Sequence, residues 1–133
     1  MSEKIIDVAV GVLLQPDGRA LFAQRPPGKP YAGYWEFPGG KVEAGETVFA
    51  ALQREFAEEL GVQVLQGAPW QTIEHSYPHA HVRLHFWLVR DWQGEPRGLE
   101  GQAFGWYGRD YPQPLLPATI PLMSALDLQR FAV

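Results

Sequence analysis

The chain has 133 residues, of which 46% are apolar and 20% charged, and it contains no cysteine. This length and balance are typical of one globular domain, residues 1–133, rather than of a disordered or membrane chain. The formal net charge of −4 argues against a protein that binds a nucleic-acid backbone through its overall charge. Without cysteine, neither a disulfide framework nor a thiolate metal site is possible.

The sequence shows no sign of a membrane segment or a secretory leader. Its longest nearly unbroken apolar run, Val8 to Leu14, is much shorter than the roughly 20 residues that cross a bilayer. The first residues, Met1 to Lys4, lack the basic and long apolar regions of a signal peptide. We therefore expect a cytoplasmic protein with no membrane partner.

The N-terminal part predicts two strands followed by a loop. Ile5 to Leu14 is rich in Val, Ile and Leu, as buried strands are. Pro16 to Gly18 is a strong turn signal, so Ala20 to Gln24 is the expected return strand. Three prolines and two glycines within Pro26 to Tyr34 predict a loop.

The middle of the chain predicts an amphipathic helix. Thr47 is a suitable N-cap, and Gly61 suits the position just after the last turn. Apolar residues recur every four positions between them and form a stripe on one face. These residues are Val48, Leu52, Phe56 and Leu60.

The C-terminal part predicts two strands and a last helix. Apolar and polar residues alternate over His81 to Leu88, which is typical of a half-buried strand, and Ala103 to Tyr107 is a second short strand. A proline-rich loop, Pro112 to Pro117, leads to a helix over Ile120 to Phe131 with Thr119 as its N-cap. Strands combined with two helices predict an α/β fold with a sheet covered on both faces.

Three carboxylates on the middle helix indicate a metal site. Glu55, Glu58 and Glu59 lie at positions i, i+3 and i+4, so the helix places all three on one face. Like charges at this spacing repel one another, and folding alone gives no reason to collect them. Mg²⁺ prefers oxygen ligands and commonly links protein carboxylates to substrate phosphates. Gly40 and Gly45 precede the helix, where a backbone can approach a ligand closely. The pattern therefore indicates a metal-dependent phosphate site rather than a solvated acidic face.

Written as a pattern, Gly40 to Val62 reads G-x5-E-x7-R-E-U-x-E-E-x-G-U, where U is a bulky apolar residue. Its seven fixed identities would coincide by chance at roughly one start position in 10⁸ to 10⁹. The pattern resembles the signature of the Nudix hydrolases, with Phe56 where the family prefers an aliphatic residue. Flanking segments are similar to the MutT branch of that family. They are Trp35 to Lys41, Trp87 to Val89, Trp92 to Pro96, Glu100 to Gln102 and Pro117 to Ala118.

The resemblance implies a fold, a reaction and a cofactor. The fold is the Nudix fold, an α/β/α sandwich with a mixed β-sheet. The reaction is attack of water on a nucleoside triphosphate, which releases a nucleoside monophosphate and pyrophosphate. For the MutT branch the substrate is 8-oxo-dGTP, whose removal keeps oxidised guanine out of DNA. The implied cofactor is Mg²⁺, with Mn²⁺ as a substitute, and we expect a monomer or homodimer that binds no nucleic acid directly.

The resemblance also implies the metal ligands and the catalytic residues. Glu55, Glu58 and Glu59 hold the metal, together with the carbonyl of Gly39 and the carboxylate of Glu100. Either Glu58 or Glu100 is the general base, and the sequence does not decide between them.

Arg54 joins Glu58 and Glu100 in the implied catalytic set. An ion pair between Arg54 and Glu46 that holds the helix start against the preceding loop is favoured over direct contact with the substrate.

Five residues are expected to bind the substrate, namely Arg25, Glu36, Lys41, Tyr77 and Thr119, and all except Glu36 have a structural alternative. Lys41 contacts phosphate or is a plain surface lysine, and Arg25, at the end of a strand, contacts phosphate or is simply exposed. Glu36 lies in the segment that resembles the MutT branch. Tyr77 matches an aromatic residue beside the base in that branch, but it could equally belong to the core.

Thr119 departs from the pattern of the MutT branch. The matching position there, just after Pro-Ala, is an asparagine that reads the purine edge. A carboxamide donates and accepts at once, whereas a hydroxyl reaches less far and cannot make a bidentate contact. Thr119 therefore either contacts the base in a different way or only caps the last helix.

Two alternatives to 8-oxo-dGTP hydrolysis follow from these residues. The change at Thr119 favours a Nudix hydrolase for other nucleoside triphosphates, such as modified pyrimidine nucleotides. A non-catalytic nucleotide sensor on the same fold is disfavoured, because such a protein need not retain all of Glu55, Glu58, Glu59 and Glu100.

Overall fold

Seven strands and two α-helices form the part of the chain that the computed structural model describes, residues 4–126. The strands are β1 (Ile5–Leu13), β2 (Ala20–Gln24), β3 (Trp35–Glu36), β4 (Gly39–Lys41), β5 (Gln63–Tyr77), β6 (Ala80–Gln93) and β7 (Phe104–Tyr107). The helices are α1 (Val48–Leu60) and α2 (Ile120–Met123), the latter preceded by a 3-10 turn (Pro117–Thr119). Neither α-helix in this range is long and apolar enough to cross a membrane.

The strands form two sheets. One has the order β4-β1-β6-β5 and the other the order β3-β2-β7. β1 and β6 are parallel, with Ile5 opposite His81 and Leu13 opposite Val89, and the other strand pairs are antiparallel. The mixed sheet and the helix that covers it confirm the expected α/β fold class.

Successive side chains of β1 enter two different cores, because neighbouring residues of a strand face opposite sides of the sheet. Ala9 and Leu13 pack with α1, whereas Val10 and Val12 pack on the other face. The α1 core also contains Leu21, Leu52, Phe56, Leu60, Val62, Val64 and Val89. The opposite core also contains Phe22, Phe37, Leu84, Phe86, Leu115, Ala118 and Leu122.

The ends of α1 are formed as the sequence predicts. The Thr47 hydroxyl accepts the N–H of Ala50 at 3.1 Å, which satisfies one of the unpaired donors of the first turn. Gly61 has φ 67°, a left-handed conformation that glycine adopts without steric cost. The N–H groups of Gly61 and Val62 return to the carbonyl oxygens of Ala57 and Phe56 at 3.2 and 3.3 Å.

Gly11 allows α1 to lie close to β1. A methyl group at Gly11 would come within 2.6 Å of the Phe56 ring and 2.9 Å of Leu52. Phe56 and Leu52 are fully buried, so neither side chain can move aside without disturbing the core. The glycine therefore sets the distance between the sheet and the helix that carries the acidic residues.

Three strands were not foreseen from the sequence. β3 and β4 have two and three residues, and β4 contains Gly39 and Gly40, which have little intrinsic preference for a strand. β5 contains Gly67 and Pro69, and its pairing with β6 shifts register three times. These interruptions remove the regular alternation by which strands are recognised in a sequence.

The prediction for the C-terminal helix is correct only in part. α2 begins at Ile120 as expected but ends at Met123, because residues 124–126 form a turn and a bend. Residues 127–131 of the predicted helix lie outside the described residues. The expected N-cap role of Thr119 is wrong. Thr119 has φ −80° and ψ −30° and makes no capping hydrogen bond with its side chain. Because Pro117 to Thr119 already form a 3-10 turn, Thr119 lacks the extended backbone of an N-cap.

We expect the substitution Gly11→Ala to lower the free energy of unfolding by about 1–3 kcal/mol, as overpacking of a filled core typically does. Chemical denaturation of the purified variant measures this. In the double variant Gly11→Ala/Phe56→Leu the smaller side chain makes room for the methyl group, so the two effects should not add. A single variant as stable as the wild type would contradict the close helix–sheet contact.

Candidate functional site

The carboxylate of Glu55 lies directly on the backbone of β4. A methyl group at Gly40 would overlap the Glu55 carboxyl group, so only glycine leaves room for it. Gly39, the preceding residue, is equally crowded, since a methyl group there would overlap the carbonyl of Ala9. The two glycines thus let the backbone of β4 fit between β1 and the acidic face of α1.

Glu59 lies one helical turn after Glu55 and is largely enclosed. Burial raises the pKa of Glu59 to about 10, helped by a hydrogen bond with Glu55 and by the negative charges of Glu55, Glu100 and Glu36. Two carboxyl groups can share a hydrogen bond only when one of them carries a proton. Glu59 thus lies near three other acidic side chains, whose charges act on it. We call Glu36, Glu55, Glu59 and Glu100 the acidic cluster.

Arg54 is the centre of a second set of charges beside this cluster. Its guanidinium donates to the Glu46 carboxylate at 2.7 and 3.0 Å and to the Lys41 carbonyl oxygen at 3.0 Å. It also donates to Glu55 at 2.9 Å and to Glu58 at 3.3 Å. Arg54 therefore ties the loop before α1 to the helix, as the favoured ion pair with Glu46 predicts.

Glu58 and Glu100 are the most accessible of the predicted acidic residues. The Glu58 side chain is 55% exposed and points to Arg54, and Glu100 is exposed on the loop between β6 and β7. The charge of Glu100 acts on Glu59, which places it beside the end of α1. Both residues are open to water, as a general base must be, so the choice between them stays a prediction.

The donors gathered at this site fit a hard divalent cation. Within residues 4–126, no three acidic or histidine side chains form a ready-made metal site. The predicted ligands nevertheless supply only oxygen atoms, which Mg²⁺ prefers. Burial and, after it, the neighbouring carboxyl groups raise the pKa of Glu59. A cation would offset the repulsion among these carboxyl groups. The space left by the missing side chain of Gly40 allows the Glu55 carboxylate to lie against the backbone.

Arg25 and Glu36 form a partly buried ion pair. Arg25 donates to Glu36 at 3.1 and 3.3 Å and to the Pro30 carbonyl oxygen at 2.7 Å. Burial raises the pKa of Glu36, while Arg25 and Lys29 lower it. The pair anchors the loop after β2, so Arg25 is not simply exposed. Contact of Arg25 or Glu36 with a substrate stays a prediction.

Lys41 ends β4 and is exposed. Its backbone carbonyl is held by Arg54 at 3.0 Å. The structure therefore fixes the backbone at Lys41 and leaves both earlier alternatives, phosphate contact and plain surface exposure, open.

Tyr77 lies in the core rather than in an open cleft. Only 9% of it is exposed, and its ring packs edge to face on Tyr31 with 5.2 Å between the ring centres. Its hydroxyl accepts the N–H of Ala118 at 3.0 Å. Of the two earlier alternatives for Tyr77, the core position is the one observed. Through this bond Tyr77 holds the 3-10 turn in which Thr119, itself only 3% exposed, is placed.

Sequence reasoning assigned no role to Gln102, although the structure places it against the site. Its side chain contacts the backbone of both Glu59 and Glu100. A glutamine two residues after a predicted ligand carries no distinctive signal, because one of its two partners, Glu59, lies on a helix more than forty residues earlier.

Residues 9–120 of the chain match the family model of the NUDIX domain. The chain is 42% identical over 106 residues to the 8-oxo-dGTP diphosphatase of Haemophilus influenzae, a match that covers 80% of this chain and 78% of that protein. It is 39% identical over 131 residues to the CTP pyrophosphohydrolase of Escherichia coli, covering 97% and 96%. The crystal structure of a MutT NUDIX hydrolase from Burkholderia pseudomallei superposes with a TM-score of 0.84 at 32% identity, covering 92% and 98%.

The Glu46–Arg54 pair should make stability depend on pH. The hydrogen bonds from Arg54, followed by one from the Glu43 N–H, lower the pKa of Glu46 to about 2. A carboxyl group whose pKa is lower in the folded state stabilises the fold above its unfolded pKa of about 4.3, and this contribution is lost as the pH falls toward 2. The melting temperature of the wild type should therefore exceed that of Glu46→Gln near pH 6, with a difference that shrinks toward pH 2.

Thermal unfolding in the presence of EDTA, at a series of pH values, measures this difference. Glu95→Gln, at an exposed loop position, serves as the control and should follow the wild type. A Glu46→Gln variant that melts at the wild-type temperature at pH 6 would rule out the stabilising pair.

Proposed function

Because the chain belongs to the Nudix family and is a pyrophosphohydrolase of its MutT-like branch, we propose that it hydrolyses 8-oxo-dGTP to 8-oxo-dGMP and pyrophosphate with Mg²⁺. The observation that carries the proposal is the Glu55 carboxylate packed against Gly40 of β4, with Glu59 hydrogen-bonded to it. In this proposal the enzyme keeps an oxidised guanine nucleotide from being incorporated into DNA. Identity to the Haemophilus influenzae 8-oxo-dGTP diphosphatase supports the choice of substrate.

In the proposed site, Glu55, Glu58, Glu59 and Glu100 hold the cation together with the Gly39 carbonyl. When bound, Mg²⁺ supplies positive charge that offsets the negative charge developing on the phosphate oxygens. Mn²⁺ takes similar oxygen ligands and can substitute for it. Several carboxyl groups lie near one another in the metal-free chain, and their combined negative charge makes binding of a cation favourable there.

The residues of the chain contribute the proton transfer and the positioning. Water forms a bond to one of the two phosphorus atoms that share the oxygen between the α and β phosphates. The bond from that phosphorus to the bridging oxygen breaks, so that the nucleoside monophosphate and pyrophosphate separate. Glu58 or Glu100 takes the proton from the water, and both are open to solvent. Arg54 keeps α1 and the preceding loop in register through Glu46, and in this way it orients Glu55 and Glu58.

The proposed substrate contacts divide into contacts with the phosphates and a contact with the base. Lys41 and Arg25 face the phosphates, with Arg25 held in place by Glu36. Thr119 lies at the base, on the turn that the Tyr77 hydroxyl supports. A threonine hydroxyl offers one donor and one acceptor site at a single atom, so it reads fewer features of a base than a carboxamide does.

A second candidate function is hydrolysis of a pyrimidine nucleoside triphosphate such as CTP. The relative from Escherichia coli named CTP pyrophosphohydrolase matches over 97% of this chain, and Thr119 stands where an asparagine would read the purine. Both functions use the same acidic cluster, so only the base decides between them.

Comparison of kcat/KM for 8-oxo-dGTP, dGTP and CTP tests the choice of substrate. We expect 8-oxo-dGTP to be preferred over dGTP by about tenfold or more. We also expect Thr119→Asn to increase that preference by about 10- to 100-fold, since a bidentate contact is worth about 1–3 kcal/mol of discrimination.

Thr72→Asn, at an exposed position of β5, is the matched control and should leave the ratio unchanged. Equal values for dGTP and 8-oxo-dGTP would defeat the sanitising role, and the highest value for CTP would favour the second candidate.

Mn²⁺ binding, followed by the EPR signal of the free ion, tests the ligand assignment without any substrate. Glu59→Gln should weaken binding by about tenfold or more, because even residues that only orient a ligand are worth about 10- to 100-fold in metal affinity. The variant should be as stable as the wild type or slightly more so, because glutamine, like the protonated Glu59, carries no charge and its amide can donate to Glu55. Glu43→Gln removes one negative charge from a 61% exposed side chain nearby and is the control. Unaltered Mn²⁺ affinity in Glu59→Gln would exclude Glu59 as a ligand.

A further inference from the structure

The turn that carries Glu100 is attached to the carbonyl end of α1. The N–H of Arg97 donates to the Leu60 carbonyl oxygen at 2.9 Å, and the N–H of Leu99 donates to the Glu59 carbonyl oxygen at 3.1 Å. The last carbonyl groups of a helix have no partner within the helix, so this turn provides donors that α1 lacks. Glu100 is thereby linked to the helix that presents the other acidic residues.

The side chain of Gln102 adds a contact that joins two members of the acidic cluster. Its Nε2 donates to the carbonyl oxygen of Glu59 at 3.0 Å, and its Oε1 accepts the N–H of Glu100 at 3.0 Å. A carboxamide can donate and accept at once. One side chain therefore connects the backbone of Glu59 to that of Glu100.

The turn itself is folded tightly against Gln102. The N–H of Gly101 donates to the Gly98 carbonyl oxygen at 2.9 Å, which leaves Leu99 and Glu100 at the two central positions of a four-residue turn. A methyl group at Gly98 would lie 2.6 Å from the backbone carbonyl oxygen of Gln102. Glu100 is exposed at the corner of this turn, so the position of its carboxylate follows the attachment of the turn to α1.

We propose that Gln102 is a positioning residue, which bridges the backbones of Glu59 and Glu100 and so holds the Glu100 carboxylate near the other members of the acidic cluster. This inference rests on the proposed function, in which Glu100 belongs to the metal site. Partners that orient a metal ligand are typically worth about 10- to 100-fold in activity or metal affinity. Gln102 is therefore expected to act on the reaction only through Glu100.

A double-mutant cycle of Gln102→Leu and Glu100→Gln tests this dependence. In the wild-type background, Gln102→Leu should lower kcat by about tenfold or more, with a much smaller change in KM for the nucleotide. In the Glu100→Gln background, the same substitution should change kcat by less than about twofold, because the residue that it positions has already lost its carboxylate. Equal losses in both backgrounds would show a general effect on the fold and overturn the proposal.

Gln53→Leu is the matched control. Gln53 lies on α1. Like Gln102, it donates its Nε2 to a backbone carbonyl oxygen, in this case that of Val64 at 2.9 Å. Its loss removes the same kind of hydrogen bond without touching the turn that carries Glu100, so kcat should stay near the wild-type value. A loss of kcat as large as in Gln102→Leu would contradict the specific role of Gln102.

Amide hydrogen exchange supplies a readout that does not depend on activity. In Gln102→Leu the amides of Leu99 and Glu100 should exchange faster than in the wild type, and in Gln53→Leu they should not. Unchanged exchange at both amides would overturn the proposal even if kcat falls. If Glu100→Gln keeps full activity, the proposed role of Glu100 fails, and the exchange rates alone then decide whether Gln102 holds the turn.

Discussion

Repulsion among carboxyl groups is the constraint on which the rest of the site depends. Helical spacing places Glu55 and Glu59 one turn apart, while Glu36 on β3 and Glu100 on the loop after β6 lie near enough for their charges to act on Glu59. Arg54 compensates part of this charge, but its donors are directed to Glu55 and to the two glutamates outside the cluster. Burial, together with the charge that is left uncompensated, favours a proton on Glu59 in the metal-free chain, and the uncompensated charge favours a divalent cation in the working enzyme.

The fold maintains this unfavourable arrangement by packing α1 closely on both sides. Its apolar face meets β1 at Gly11, where any side chain would strike Phe56. Its acidic face meets β4 at Gly40, where any side chain would strike Glu55. Burial of a large apolar side chain such as Phe56 contributes about 1.5–3 kcal/mol, and several such side chains together offset the cost of holding like charges near one another.

The extent of α1 and the placement of its glutamates on one face could be predicted from the sequence, because the signals are local. Thr47 and Gly61 mark the ends of the helix by their own backbone and side-chain preferences, and the spacing of the glutamates defines one face. The environment of Tyr77, the turn that holds Thr119 and the bridge made by Gln102 were not predictable in this way. Each depends on a partner far away in the chain, such as the Ala118 amide that meets Tyr77, and no local pattern specifies such a contact.

The most direct test of the account is to follow 8-oxo-dGTP by ³¹P NMR with Mg²⁺ and the wild-type chain, beside Glu59→Gln. We expect the wild type to convert the triphosphate to 8-oxo-dGMP and pyrophosphate, and we expect this conversion to be strongly reduced in the variant. Release of orthophosphate instead of pyrophosphate, or undiminished conversion by Glu59→Gln, would contradict the account.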